Sequence, residues 1–261
     1  MFERIYQIFI ELTNHALFSK LLQKFSTSRA SAVLLSSYAR VYKINQSEMA
    51  DNLKNYENLQ QLFIRQLKEG VRPIDQTLNG VVSPVDAVIE EYGYIDPAKE
   101  MKVKGKVYSI EEMVGNDKLL EKYIGGLFMI FYLSPRDYHR IHSPLSGTIT
   151  NMWTLGNRSY PVNKWGMKYG KDPLTKNYRK LTELLHPYGN MLMVKVGAMF
   201  INSIERTHEG ESVTKGDEMA YFTFGSTVVL LFEKGTFILN PNIEKEQPVK
   251  VGQLIGVLKE K

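Results

Sequence analysis

The pair Gly225–Ser226 lies inside Tyr221-Phe-Thr-Phe-Gly-Ser-Thr-Val-Val-Leu-Leu-Phe232, between two runs of apolar, β-branched and aromatic residues that predict strands. A serine hydroxyl can attack the carbonyl that precedes it and convert the peptide bond into an ester. That reaction needs a base for the hydroxyl and a peptide pushed out of planarity, because planar amides are poor electrophiles. A chain broken in this way leaves residue 226 as a new terminus that can become a pyruvoyl group. The ordinary use of Gly-Ser is a turn, so the pair needs partners elsewhere before it is assigned chemistry.

Candidate partners are present. The densest polar cluster, Ser134 to Pro144, carries His139 and His142 between prolines and directly after an apolar run. Histidine is the natural general base or acid near neutral pH, although either one alone reads equally well as a structural residue. A base poised for Ser226 also needs a carboxylate to orient it. Asp86, in Val82-Ser-Pro-Val-Asp-Ala-Val88, is embedded in an otherwise apolar run. An aspartate there is costly unless partnered. Its plain alternative is a turn-capping residue after Ser-Pro.

The elements that must position these groups change character along the chain. Phe2, Ile5, Tyr6, Phe9, Leu12 and Ala16 recur at helical spacing, with Arg4, Lys20 and Lys24 adding positive charge. This amphipathic stretch, residues 1–25, suits packing on its own domain or lying in a membrane interface. Helices are expected at 28–42 and 47–69, the second stopping at Gly70. From about residue 80 short β-rich runs dominate: 81–92, 127–133, 147–154, 191–204, 219–223, 227–233, 236–239 and 249–258. One helix is expected at 109–122, and a turn or two at 174–186. The fold class is therefore α+β, a helical region (1–70) on a β-rich body (71–261). Val213-x-x-Gly216 and Val249-x-x-Gly252 echo one another and, with Ser143–Thr150, resemble the turns of barrel-sandwich hybrid domains. The carrier lysine motif of such domains is absent.

Bulk properties narrow the classes. With 261 residues the chain can bury a sizeable core. There are no cysteines, which excludes disulfides and thiol nucleophiles. The five histidines (15, 139, 142, 186, 208) are too scattered to predict a metal site. Thirty-three Lys and Arg against 28 Asp and Glu give a net charge of +5, which suits an anionic lipid surface. No basic block or zinc finger points to nucleic acid. The longest wholly apolar run, Leu127–Leu133, falls far short of the ~20 residues needed to span a bilayer. Glu3, Glu11 and Thr13-Asn14-His15 interrupt any signal-peptide core, so a cytoplasmic location or a membrane face turned toward the cytoplasm is expected.

Five segments together resemble the phosphatidylserine decarboxylase family. Phe224-Gly-Ser-Thr227 is similar to that family's processing site. Tyr132-Leu-Ser-Pro-Arg-Asp-Tyr-His139-Arg-Ile-His142 is similar to its histidine motif, and Ser83-Pro-Val-Asp86 to its aspartate motif. Phe63–Asp75 and Val103–Ile110 match as well, so the likeness runs from about residue 60 to the C-terminus. The resemblance implies that Asp86 orients His142, His142 takes the hydroxyl proton, and Ser226 attacks the carbonyl of Gly225. β-Elimination, tautomerisation and loss of ammonia then give chain 1–225 and a 36-residue chain, 226–261, headed by a pyruvoyl group. The two chains are expected to stay associated, and a homodimer is allowed. The pyruvoyl ketone would form a Schiff base with phosphatidylserine, release carbon dioxide, and yield phosphatidylethanolamine without a metal; His139 would assist decarboxylation. The resemblance places the protein peripherally on the cytoplasmic face of the cell membrane.

Other classes remain as foils. A serine hydrolase would normally place its nucleophile in G-x-S-x-G, which is absent at Ser226. A non-catalytic membrane-binding barrel-sandwich protein would tolerate loss of Ser226. A pyruvoyl decarboxylase of a soluble amino acid or of S-adenosylmethionine has no use for the amphipathic start.

Overall fold

The computed structural model describes residues 16–103, 105–163, 166–167, 170–198 and 204–260, and the amphipathic stretch at 1–15 lies outside them. The first described part is helical: α1 (Ala16–Thr27), a 3-10 turn (Arg29–Leu34), α2 (Leu35–Val41) and, further on, α3 (Leu59–Phe63). Leu35, Ala39, Ile44, Met49, Tyr56 and Leu62 close a small core among them. The expected helix at 47–69 is not continuous. Only two 3-10 turns, Gln46–Glu48 and Leu53–Asn55, and the short α3 form there. Each is preceded by an extended asparagine, Asn45, Asn52 or Asn58, and the side chains of Asn45 and Asn58 accept from the backbone N–H groups of Ser47 and Gln61. Asparagine competes with the helix for backbone partners, so an apolar periodicity that survives on paper is chopped into single turns. The helix expected at 109–122 likewise splits into α4 (Ile110–Val114) and α5 (Asp117–Leu120), where Asn116 caps the second piece.

The β-rich body begins with β1 (Gly80–Val82), β2 (Ala87–Tyr94), β3 (Glu100–Val103), β4 (Lys106–Ser109) and β5 (Leu127–Leu133). It continues through β6 (Arg140–His142), β7 (Gly147–Leu155), α6 (Pro173–Lys176), β8 (Arg179–His186) and β9 (Gly189–Gly197). Then come β10 (Ile204–Arg206), β11 (Ser212–Val213), β12 (Glu218–Phe222), β13 (Ser226–Phe232), β14 (Phe237–Leu239), β15 (Pro248–Val249) and β16 (Leu254–Leu258). The turns expected at 174–186 are confined to α6; residues 179–186 pair along their length with both β7 and β9, and tertiary pairing overrides their helix-like pattern.

One eight-stranded sheet, in the order β11-β7-β8-β9-β13-β5-β2-β15, carries most of the core and ends in two edges rather than closing. The observed class is α+β, and no described sheet closes into a barrel. β13 is central, and both faces of it are covered. Val228, Leu230 and Phe232 join one hydrophobic cluster, while Val229 and Leu231 join another on the opposite face. This is why the 228–232 run is apolar at every position rather than alternating. The smaller sheets β10-β12-β6 and β1-β16-β14 and the hairpin β3-β4 complete the body. The V-x-x-G echo has a physical basis: Gly216 (φ 94°) and Gly252 (φ 85°) both turn the chain against Ile74, where a Cβ would come within 2.7 and 2.8 Å of its side chain.

Candidate active site

β12 ends at Phe222, residues 223–225 cross between sheets, and Ser226 opens β13 opposite Gly197 of β9 and Leu133 of β5. Gly225 has φ 21°, outside the strand region, so the ladder begins only after it. Its carbonyl accepts a hydrogen bond from the Ala198 N–H at 2.8 Å. That contact polarises the carbonyl which the Ser226 hydroxyl would attack, in the manner of an oxyanion-hole donor. The donor peptide is itself fixed. The buried Asn177 gives its amide N–H to the carbonyls of Gly197 (2.9 Å) and Tyr160 (2.7 Å).

Ser226 is fully buried, and its Oγ has no hydrogen-bond partner among the described residues. The same holds for Thr223 Oγ1 and His139 Nε2. A buried polar atom without a partner costs about 1–3 kcal/mol, so three of them around one turn call for a reason other than stability.

His139 belongs to this turn. The Phe222 N–H donates to its carbonyl at 2.9 Å, which sets the residue opposite the end of β12 that leads to Ser226. Its Nδ1 donates to the Asp137 carbonyl at 2.9 Å, which leaves Nε2 as an unprotonated lone pair. The ring lies on Phe63 (3.8 Å between centroids), and Phe63 stacks on Phe224 (5.1 Å). Burial, with help from the Arg65 guanidinium, pushes the imidazole pKa down to about 3, so His139 is a neutral base. The loop before it is held from two sides. The Asp137 carboxylate accepts from Ser134 N–H and Oγ–H, while Arg65 donates to the carbonyls of Arg136 and Asp137 at 2.7 and 2.9 Å.

His142 faces Glu218 at the other end of β12. Four strand residues, roughly 13 Å of ladder, separate that position from Phe222. Its Nδ1 donates to the Gly216 carbonyl at 2.7 Å, and its Nε2 accepts from the Tyr138 hydroxyl at 3.2 Å. Burial again depresses its pKa.

Asp86 is buried and does not touch either imidazole. Its carboxylate takes Arg72 Nε (2.9 and 3.1 Å) and Nη2 (2.6 Å), Lys250 Nζ (3.1 Å) and the Val251 N–H (2.9 Å). Burial alone would raise its pKa, but Arg72 and the other donors outweigh it and hold the group below the usual carboxylate range. Its charge is nevertheless felt at both histidines. The structure therefore gathers Asp86, His139, His142 and Ser226 about the β6–β12 pair and the turn that follows it, without a hydrogen bond from Asp86 to His142 or from His142 to Ser226. Among the described residues no cluster of three or more His, Asp or Glu is placed to hold a metal ion.

The sequence model of the phosphatidylserine decarboxylase family matches residues 59–257, a span that includes every one of these groups. The chain belongs to the phosphatidylserine decarboxylase family. It is 59% identical over 259 residues to the phosphatidylserine decarboxylase proenzyme of Geobacillus sp. (strain WCH70), covering 99% of this chain and 100% of that one. It is 58% identical over 261 residues to the proenzyme of Anoxybacillus flavithermus (strain DSM 21510 / WK1), covering 100% and 98%. Identity to the proenzyme of Bacillus cereus (strain AH187) is 52% over 252 residues. Membership makes the chain an enzyme, a carboxy-lyase. Residues 63–75, noted in the sequence as a family match, supply Phe63, Arg65 and Arg72, the groups that hold His139, its loop and Asp86. Tyr138 and the Ala198 N–H had no signal of their own.

Proposed function

We propose that this phosphatidylserine decarboxylase makes its own pyruvoyl group from Ser226 and uses it to convert phosphatidylserine to phosphatidylethanolamine. The observation that carries the reading is the unpartnered Ser226 Oγ beside a Gly225 carbonyl that already accepts a fixed N–H. Ser226 Oγ attacks that carbonyl carbon, the C–N bond breaks, and an ester forms. Loss of a proton from Cα expels the Gly225 carboxylate and leaves dehydroalanine at 226. Tautomerisation and addition of one water then release ammonia. When formed, the group supplies a ketone that condenses with the substrate amine and withdraws electrons as carbon dioxide leaves.

In this assignment Asp86 and His142 assist the serine, as the resemblance implies. His142 must first exchange the Tyr138 hydroxyl for that of Ser226. One observation favours a second assignment of the base: His139 Nε2 is free, neutral and already at the turn. Three variants separate them, with cleavage followed by denaturing mass spectrometry. If His142 is the base, His142→Ala leaves the chain whole and Tyr138→Phe speeds cleavage by freeing Nε2. If His139 is the base, His139→Ala blocks cleavage and Tyr138→Phe leaves its rate unchanged. Detection of fragment 226–261 in the purified wild-type protein tests the proposal itself; a chain that stays whole on incubation removes it.

A peripheral place on the cytoplasmic face of the membrane belongs to the same reading. Leu21, Phe25, Val33 and Val41 are exposed in the helical region, beside exposed Lys24, Arg29 and Arg40. Apolar side chains flanked by cations suit an anionic bilayer surface. No described helix is long and apolar enough to cross a membrane.

A further inference from the structure

Between the large sheet and β10–β12 lies a cavity of about 190 Å³ that no step above uses. Lys180, Lys195 and Arg206 line it together with His208, and among the described residues no Asp or Glu does. Lys180 and Lys195 stand directly opposite each other across the β8–β9 ladder. Like charges so placed repel, which is costly unless an anion sits between them. Lys195 is buried, 4% exposed, and among the described residues one of its three N–H donors is taken, by Thr182 Oγ1 at 2.6 Å. Burial, and then the charges of Lys180 and Arg206, bring its pKa down to about 7, so an incoming anion would also restore its proton. Ile149 and Met152 add an apolar part to the lining on the same face, and Met152 is exposed at the mouth.

The register ties this cavity to Ser226. Lys195 pairs with Val228 and Gly197 pairs with Ser226, so Lys195 and Ser226 are diagonal neighbours on adjacent strands. Alternate residues share a face, which puts both side chains on the same side of the sheet. Diagonal neighbours lie about 7–8 Å apart. In a serine phospholipid two carbons and one oxygen separate the amine from phosphorus. The Lys195 ammonium leans toward Thr182 on β8, so a phosphate held on its β13 side points the amine toward residue 226, while the glycerol and acyl chains follow Ile149 and Met152 outward.

We infer that this cavity is the phosphate subsite for the phospholipid substrate, with Lys195 as its buried contact, Lys180 as its second cation, and the apolar side chains of Ile149 and Met152 as the path of the acyl chains. The inference rests on Ser226 as the reacting residue, and its test is independent of that chemistry. The full-length Ser226→Ala chain is titrated, with isothermal calorimetry as the readout, with dihexanoyl-phosphatidic acid, inorganic phosphate and dihexanoylglycerol. The expected result is saturable binding of dihexanoyl-phosphatidic acid at least about tenfold tighter than either other probe, a difference of one decade in Kd. Lys195→Met and, separately, Lys180→Ala are each expected to weaken it about tenfold or more with the thermal midpoint retained. In the Ser226-containing enzyme, Lys195→Met is expected to raise KM for dihexanoyl-phosphatidylserine about tenfold while kcat stays within about threefold. Equal binding by inorganic phosphate makes the site one for free phosphate and overturns the lipid assignment. Equal binding by dihexanoylglycerol, or unchanged affinity in both lysine variants, overturns the subsite. Failure of the wild-type chain to cleave overturns the pyruvoyl reading and leaves the binding result standing.

Discussion

Ser226→Ala is expected to leave one intact chain with no decarboxylase activity above background. The substitution removes a single oxygen, one that is buried and has no hydrogen-bond partner among the described residues. Loss of an unsatisfied buried hydroxyl relieves a desolvation cost of about 1–3 kcal/mol, so the variant should be at least as stable as the parent. Inactivity then cannot be ascribed to unfolding. The β13 ladder also survives, because Ser226 joins Leu133 and Gly197 through its backbone. The fall in rate should be the whole enzymatic enhancement, on the order of 10⁶-fold or more, since without the hydroxyl no electron sink is made. Denaturing mass spectrometry reads the chain, a thermal melt reads the fold, and carbon dioxide release reads the activity. An uncleaved variant that still decarboxylates would sink the pyruvoyl reading; a cleaved one would move the nucleophile elsewhere.

Asp86→Asn is expected to be the most damaging conservative change away from the turn. The carboxylate is 1% exposed and neutralises Arg72, whose side chain is 11% exposed, together with Lys250. Removing one partner of a buried pair costs about 3–5 kcal/mol, because the remaining charge stays buried. Glu48 also touches Arg72 at 2.6 Å and softens the loss. For a chain of this size that cost lowers the thermal midpoint by roughly 10 °C. Arg72→Met is the control. If Asp86 acts only by fixing Arg72 and the turn at Val251, both variants lose stability and cleavage together. If Asp86 also sets the histidines, Asp86→Asn slows cleavage more than its loss of stability explains. Acid sensitivity follows from the same groups. Asp86 has a depressed pKa, so its stabilisation holds above the ordinary carboxylate range and is lost as pH falls. His139 stays neutral in the fold down to about pH 3 but takes a proton near 6.5 when unfolded, so stability falls by up to about 1.4 kcal/mol per pH unit on acidification through that window. Melts between pH 7 and pH 4 should show the decline, and Asp86→Asn should flatten only its most acidic part.

The candidate residues stood out in the sequence because chemistry restricts their types: a serine after glycine between strands, two histidines between prolines, an aspartate in an apolar run. The central strands were readable for a related reason, since 127–133 and 228–232 must be apolar on both faces. What could not be read is who holds whom. Arg72 finds Asp86, Arg65 finds the carbonyl of Asp137, and His142 finds that of Gly216, through contacts that only the assembled sheets bring about. The Ala198 contact is a backbone N–H and carries no side-chain signature. Misread elements have local causes. Asparagines cut the segment at 47–69 into turns, and β8 keeps a helix-like spacing of leucines that pairing with β7 and β9 overrules.

The place of β13 between β9 and β5 has a consequence for the history of each molecule. Thirteen cross-strand pairs flank a strand that begins at the bond proposed to break. Before a cut, that strand reaches its slot as part of one polymer, and folding is independent of concentration. After a cut, it is the head of a 36-residue peptide, too short to keep a core by itself. Once melted, the two pieces face a bimolecular search, with about 4–15 kcal/mol of lost translational and rotational freedom to overcome. Such a molecule is assembled in one direction only: it folds whole, matures in place, and has no unimolecular route back.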